Sequence, residues 1–235
     1  MNKLVILESP GKIKKVSQFL KEIDKVNNYI VKASIGHIRE LSNENEYNMG
    51  IDIEKMNPIY RISLNKKQVV SDLIQQAKLV DEVIIATDPD REGEAIAFHL
   101  FEILKNYSKN FKRMRLNAIT KESVQKELQN LSEINQSYVN SAITRQILDR
   151  MVGFRISPIL QKLIGAASAG RVQSAVLRIL CNRQKQISNF DKKKYFYLQD
   201  EYKNMVFKNY FYNKENKFLI NKIYDENEIN KISKL

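Results

Sequence analysis

The sequence predicts an α/β protein: a parallel-sheet domain, then a helical region, then the beginning of a β-rich domain. Three observations carry this. Short β-type runs alternate with helical spacings over the first half, which argues for a sheet with crossover helices. One run, Glu82–Ala86, is almost continuously apolar, as in a strand buried on both faces. After Thr120 the spacing becomes helical throughout, and from Tyr195 aromatic and β-branched residues take over. The expected boundaries are residues 1–120, 121–190 and 191–235.

The elements follow in order. Lys3–Leu7 is a short apolar strand. From Gly11 a helix presents Val16, Phe19 and Leu20 on one face. Tyr29–Ile35 is a second strand, and Ser42–Asn48 is a polar loop. Val70, Leu73, Ile74 and Ala77 have helical spacing within 69–80. The buried strand Glu82–Ala86 leads into an apolar helix at Glu94–Leu104, and Arg113–Leu116 is a further strand. Helices are expected at Ser123–Leu131, Asn140–Phe154, Pro158–Leu163 and Arg171–Ile187, then strands within Tyr195–Ile223. The final DENEINKISKL reads as a helix just beginning, so the chain is expected to stop inside a domain.

Composition narrows the function classes. The 235 residues carry 39 Lys+Arg against 27 Asp+Glu, a net charge of +12. A polyanion is the first partner to consider: nucleic acid, with an anionic membrane behind it. A hydrophobic content of 43% supports a real core and excludes a wholly disordered chain. The single Cys181 excludes a disulfide scaffold and a cysteine-rich zinc site, and suits a reducing compartment. No apolar run approaches the ~20 residues that span a bilayer, and the N-terminus does not read as a signal peptide.

The sharpest local feature is DEVIIATDPDREGEAIAFHL. A buried strand ends at Thr87, and Asp88, Asp90 and Glu92 follow. Pro89 biases Asp88 toward extended backbone, where alternate residues point the same way, so Asp88 and Asp90 are expected to converge. Glu92 falls where a helix begins and its dipole favours an anion. Such a set suits Mg²⁺, which takes one or two carboxylates and keeps waters. A solvated acidic turn ahead of a capped helix accounts for the D-x-D pair about as well. A second strand end adds to the first. In LVILESPGKIKK, Glu8 follows the first strand and Lys12 begins the next helix. If the two strands are neighbours, Glu8 faces the acids. Four clustered carboxylates repel, so they need a cation or one must stay protonated. A protonated Glu8 would serve as general acid to an oxygen leaving group. Lys12 would meet a phosphate as a point charge, although among Lys14 and Lys15 it also reads as an ordinary solvated lysine.

ESPGK followed by ATDPDREGEAIAFH resembles the Toprim domain, a Rossmann-like fold, of type IA DNA topoisomerases. GHIREL at Gly36–Leu41 and NPIYRI from Asn57 resemble the bacterial topoisomerase I branch, and so do AITKESV, TRQILDRMVGFRISPIL and SAGRVQSAVLRILCNR. The resemblance spans about residues 1–190 in order, and SAGRVQS is its most specific part. It implies an isomerase that relaxes negatively supercoiled DNA by transient single-strand cleavage and rejoining, in the cytoplasm on the nucleoid. By resemblance Asp88, Asp90 and Glu92 bind Mg²⁺, Glu8 is the catalytic glutamate, and Lys12 and Arg145 assist at the phosphate. Arg91 stands beside the metal site, and His37, Asp149, Arg171 and Gln173 contact single-stranded DNA. From spacing alone, Arg145 and Asp149 are an i,i+4 ion pair, His37 is a structural histidine, and His99 belongs to an apolar helix. Arg171, Ser174 and Arg178 share one helix face; the helix start with Arg171 is a ready phosphate site, while Arg178 and Arg183 also fit a solvated amphipathic helix.

The sequence departs from the family at the nucleophile. Type IA enzymes attack DNA with a tyrosine in a Y-x-R-T-x-S context and form a 5′-phosphotyrosyl link. None of the eleven tyrosines has that context. The expectation is a truncated or split enzyme, inactive alone, with a complementary fragment carrying the tyrosine as a possible partner. The alternative is a non-catalytic DNA- and Mg²⁺-binding module. A stand-alone Toprim nuclease is disfavoured, since SAGRVQS has no use there.

Overall fold

The computed structural model describes residues 1–44, 48–203, 205–213, 218–220 and 222–232. Residues 45–47 of the polar loop with Tyr47, parts of the aromatic stretch, and the end of the last expected helix lie outside the described residues.

The chain divides into two units, Met1–Ser174 and Ala175–Leu235. The first opens with β1 (Asn2–Leu7), α1 (Ile13–Ile23) and β2 (Asn28–Ala33). Short strands β3 (Arg39–Leu41), β4 (Ile51–Asp52), β5 (Asn57–Pro58) and β6 (Tyr60–Ile62) come next, then α2 (Lys67–Ala77). The unit continues through β7 (Glu82–Ala86), α3 (Arg91–Leu104), β8 (Phe111–Arg113), α4 (Lys121–Gln129), α5 (Gln136–Met151) and α6 (Ser157–Ile164).

The expected parallel sheet forms in the order β2-β1-β7-β8, all strands parallel. Its central strands are buried on both faces because their residues alternate between two cores. Leu4, Ile6, Val83 and Ile85 pack with α2 and α3 residues such as Leu73, Ile96 and Leu100. Val5, Leu7, Ile84 and Ala86 pack with Val16 and Leu20 of α1 and Val124 of α4. Each such Leu, Ile or Val side chain contributes about 1.5–3 kcal/mol on burial.

Differences from expectation have local causes. The second strand stops at Ala33, because Ile35 (φ 59°) and Gly36 (φ 77°) turn the chain. The strand expected at Arg113–Leu116 begins earlier, at Phe111, whose ring packs edge-on against Phe101 at 5.1 Å. The helix expected from Asn140 starts at Gln136, because the Asn135 side chain accepts hydrogen bonds from Ser137 N and Tyr138 N. It ends at Met151 in a π-helical turn, Val152–Ile156, and α6 resumes with Pro158 in its first turn. The antiparallel pairs β3–β6 and β4–β5 were not expected. They are two or three residues long, too short to show period-2 alternation.

The helix α7 (Arg171–Ser188) runs across the boundary between the units. The second unit then holds two antiparallel pairs, β9 (Gln199–Tyr202) with β10 (Met205–Lys208) and β11 (Phe211–Asn213) with β12 (Phe218–Ile220). It ends with α8 (Glu226–Ile232). Phe196 and Ile223 form an antiparallel bridge, and Ile223 is buried.

Candidate metal and nucleic-acid site

Strands β1 and β7 run side by side in register, with Leu7 opposite Ala86. From β1 the chain crosses to β2 on one side, while β7 lies on the other. The order of the sheet therefore reverses between β1 and β7, and ligands of open α/β sheets bind at that point beyond the strand ends. Glu8 is the first residue past β1, and Asp88 follows β7 after the buried Thr87.

The turn from β7 into α3 is held from several sides. Thr87 Oγ1 donates to Gly93 O at 2.6 Å. Asp90 caps α3 by accepting from Gly93 N at 2.7 Å. A Cβ at Gly93 would lie 2.0 Å from Asp88 O, so the close approach of helix and turn needs glycine there. From the strand side, Arg113 Nη2 donates to Asp88 O at 2.9 Å.

The acids themselves do not converge as the sequence predicted. Lys12 Nζ pairs with Asp88 Oδ1 at 2.5 Å. Asp90 is occupied with its cap, and Glu92 turns to His37 Nε2 at 3.3 Å and Arg145 Nη1 at 3.6 Å. Glu8 Oε2 lies 3.5 Å from the Asp88 amide as its acceptor. Among the described residues no three His, Cys, Asp or Glu side chains stand close enough to share a metal ion. Each carboxylate instead meets its own cation or N–H donor. The donor set nevertheless fits Mg²⁺ in kind: the acids are all-oxygen donors, half-exposed or exposed, at the mouth of the sheet, and Mg²⁺ needs only one or two carboxylates directly.

Glu92 begins a run of alternating charge. Arg145 Nε lies 3.7 Å from Asp149 Oδ2, and Arg171 grips Asp149 through Nε at 2.8 Å and Nη2 at 3.4 Å. The Arg171 hydrogen bonds, then the charges of Arg171 and Arg145, hold the Asp149 carboxyl below its ordinary pKa. His37, Glu92, Arg145 and Asp149 line a cavity of about 210 Å³ with Tyr60 and His99. Arg91 lines a neighbouring shallow cleft with Asp90, Glu92 and Arg145. Gln173 is exposed and accepts from Ser168 Oγ at 3.4 Å; it touches none of these groups through a hydrogen bond.

Sequence reasoning missed three residues behind the site. Arg113 is 0% and Glu94 1% exposed, and they pair at 3.3 Å. Arg113 also donates to Ile85 O and Met114 O, while Glu94 takes a second arginine, Arg115, at 3.2 Å and the Asn135 amide at 3.3 Å. Burial lowers the Arg113 pKa, and the charge and hydrogen bond of Glu94 oppose it. The i,i+2 spacing of Arg113 and Arg115 was the available signal. It places two charges on one face of an extended segment, where an internal acid is required.

Comparison with known proteins bears on what this arrangement is. A Toprim domain family model matches residues 3–119, and a DNA topoisomerase family model matches residues 133–235. The chain belongs to the bacterial type IA DNA topoisomerases. Relatives include the prokaryotic-type DNA topoisomerase 1 of Acanthamoeba polyphaga mimivirus, 44% identical over 82% of this chain and 21% of the relative. DNA topoisomerase 1 of Aquifex aeolicus is 38% identical over 83% of this chain and 35% of its own length. The solved structure of full-length topoisomerase I from Thermotoga maritima matches with a TM-score of 0.76 at 33% identity. It covers 99% of this chain and 37% of that one. The chain thus spans about a fifth to a third of the length of these curated relatives. The Toprim α/β sheet expected from the motifs is the fold observed.

Proposed function

We propose that this chain carries the metal-binding and strand-holding half of a type IA cleavage site. The complete machinery relaxes negatively supercoiled DNA by cutting and rejoining one strand. The observation that carries this is the placement of Glu8, Lys12 and Asp88 at the ends of two adjacent parallel strands, with Lys12 bonded to Asp88. Asp88, Asp90 and Glu92 would hold Mg²⁺, which supplies positive charge beside the scissile phosphate. Glu8 would serve as the acid–base group at the leaving 3′ oxygen, passing it a proton drawn from solvent, and Lys12 steadies a phosphate oxygen. Arg145 and Arg171 hold the single strand through its phosphates, with Gln173 and His37 as polar contacts. A carboxylate repels phosphate, so Asp149 contributes by orienting the two arginines that flank it.

The nucleophile is supplied by a segment with the Y-x-R-T-x-S context, a complementary fragment included, since no tyrosine of this sequence has it. The domain boundaries proposed at 120 and 190 set apart the segment with the metal acids, the segment with Arg145 and Arg171, and the β-rich stretch. Calorimetric titration of Mg²⁺ tests the metal half. Wild type should give saturable heat that the double variant Asp88→Ala, Asp90→Ala loses, and equal heats would refute the assignment.

A further inference from the structure

The positions of Lys12 and Arg145 suggest more than phosphate contacts. Two of the three acids assigned to the metal are already neutralised from within: Asp88 by Lys12 at 2.5 Å and Glu92 by Arg145 at 3.6 Å. We propose that Lys12 and Arg145 are place-holding cations, and that metal binding hands both side chains over to the DNA phosphates. This rests on the Mg²⁺ reading above.

Both residues are built to be handed over. Lys12 closes the short 3₁₀ turn Pro10–Lys12, its side chain is partly exposed, and its charge sits on a flexible four-carbon stem. A divalent cation arriving at Asp88 repels the ammonium and competes for the same oxygen. Arg145 has a second partner on its own helix, Asp149 at 3.7 Å, and Arg171 clamps Asp149 from the other side. When Glu92 turns to the metal, Arg145 therefore stays oriented. Arg145, Asp149 and Arg171 then present two guanidinium groups around one carboxylate, a net positive site beside the strand ends. In the opposite direction, a DNA strand that draws Lys12 and Arg145 to its phosphates frees Asp88 and Glu92 for the metal. Linkage requires the two effects to be equal: DNA tightens Mg²⁺ binding by the same factor by which Mg²⁺ tightens DNA binding.

Calorimetry on the whole chain with Mg²⁺ alone, then with a single-stranded oligothymidine present, tests this. Wild type should show coupling of about 5-fold or more, the lower end of the usual range. Without DNA, Lys12→Met and Arg145→Gln should each bind Mg²⁺ several-fold more tightly than wild type. Lys14→Met changes the same charge nearby without touching the acids, and should bind much as wild type does. In the Lys12→Met, Arg145→Gln double variant the coupling should collapse toward one. Mg²⁺ affinity in Lys12→Met and Arg145→Gln equal to or below that of Lys14→Met would overturn the place-holding role while leaving the metal reading intact. So would undiminished coupling in the double variant. No Mg²⁺ binding to wild type would overturn both.

Discussion

The two histidines stand in different environments. His37 is partly exposed and faces Glu92. His99 is 2% exposed, stacked edge-on to Tyr60 at 4.4 Å, with its Nδ1 unpartnered. Burial first, then the positive charge of Arg39 and the proximity of His37, lower its pKa from 6.5 to about 3. The unfolded chain therefore binds a proton between those values that the folded chain refuses, and stability falls as pH drops through that window. Between pH 7 and pH 5 the loss from this residue is at most about 2 kcal/mol. Urea unfolding at the two pH values should show His99→Phe losing less stability on acidification than wild type. Arg171 gives a second test at this scale. Oligonucleotide affinity should fall with salt at about −0.7 per neutralised phosphate, and Arg171→Ala should weaken binding across sequences and flatten that slope. An unchanged slope in the variant would remove Arg171 from the phosphate contacts.

At the scale of elements, the acidic turn is positioned by packing around it. Helix α3 approaches the turn closely at Gly93, and Arg113 on β8 donates to the same Asp88 carbonyl from behind. Gly93→Ala drives a Cβ into backbone. It should cost about 2 kcal/mol or more, since neither helix nor strand end can yield cheaply. Chemical denaturation measures that cost, and Mg²⁺ titration of the folded variant should show weakened binding. The strand positions were legible because Leu4–Leu7 and Val83–Ala86 are apolar on both faces. The position of Asp90 as helix cap was legible from its place before α3, but its consequence was not: an Asp that caps a helix commits one carboxylate oxygen to the backbone and keeps only the other for a cation.

At the scale of the whole chain, the family is shared with longer relatives, of which this chain covers 21% and 35%. Proximity of a positioned nucleophile is worth up to ~7–11 kcal/mol in favourable cases, so its loss should abolish cleavage rather than slow it. The purified chain with Mg²⁺ should leave negatively supercoiled plasmid unrelaxed and form no covalent DNA adduct. Adding a fragment with the Y-x-R-T-x-S tyrosine should restore relaxation if the parts dock. Relaxation by the chain alone, or a labelled adduct on one of its own tyrosines, would contradict the mechanism proposed for it.

Local order along the chain was enough to determine the alternation of strands and helices, the burial of β1 and β7, and the ESPGK, DPDRE and SAGRVQS motifs that mark the family. These depend on periodicity and on neighbours within a few residues. Which charge meets which was settled by folding. Lys12 reaches Asp88 across 76 positions, Arg113 reaches Asp88 across 25, and Arg171 reaches Asp149 across 22. A carboxylate brought to a sheet edge takes whatever cation the packing delivers, because an unpaired charge near low-dielectric surroundings is costly. Motif spacing carries no record of that delivery. The acids were therefore readable as a group in sequence, and their separation into individually paired residues was set by the helices and strands packed around them.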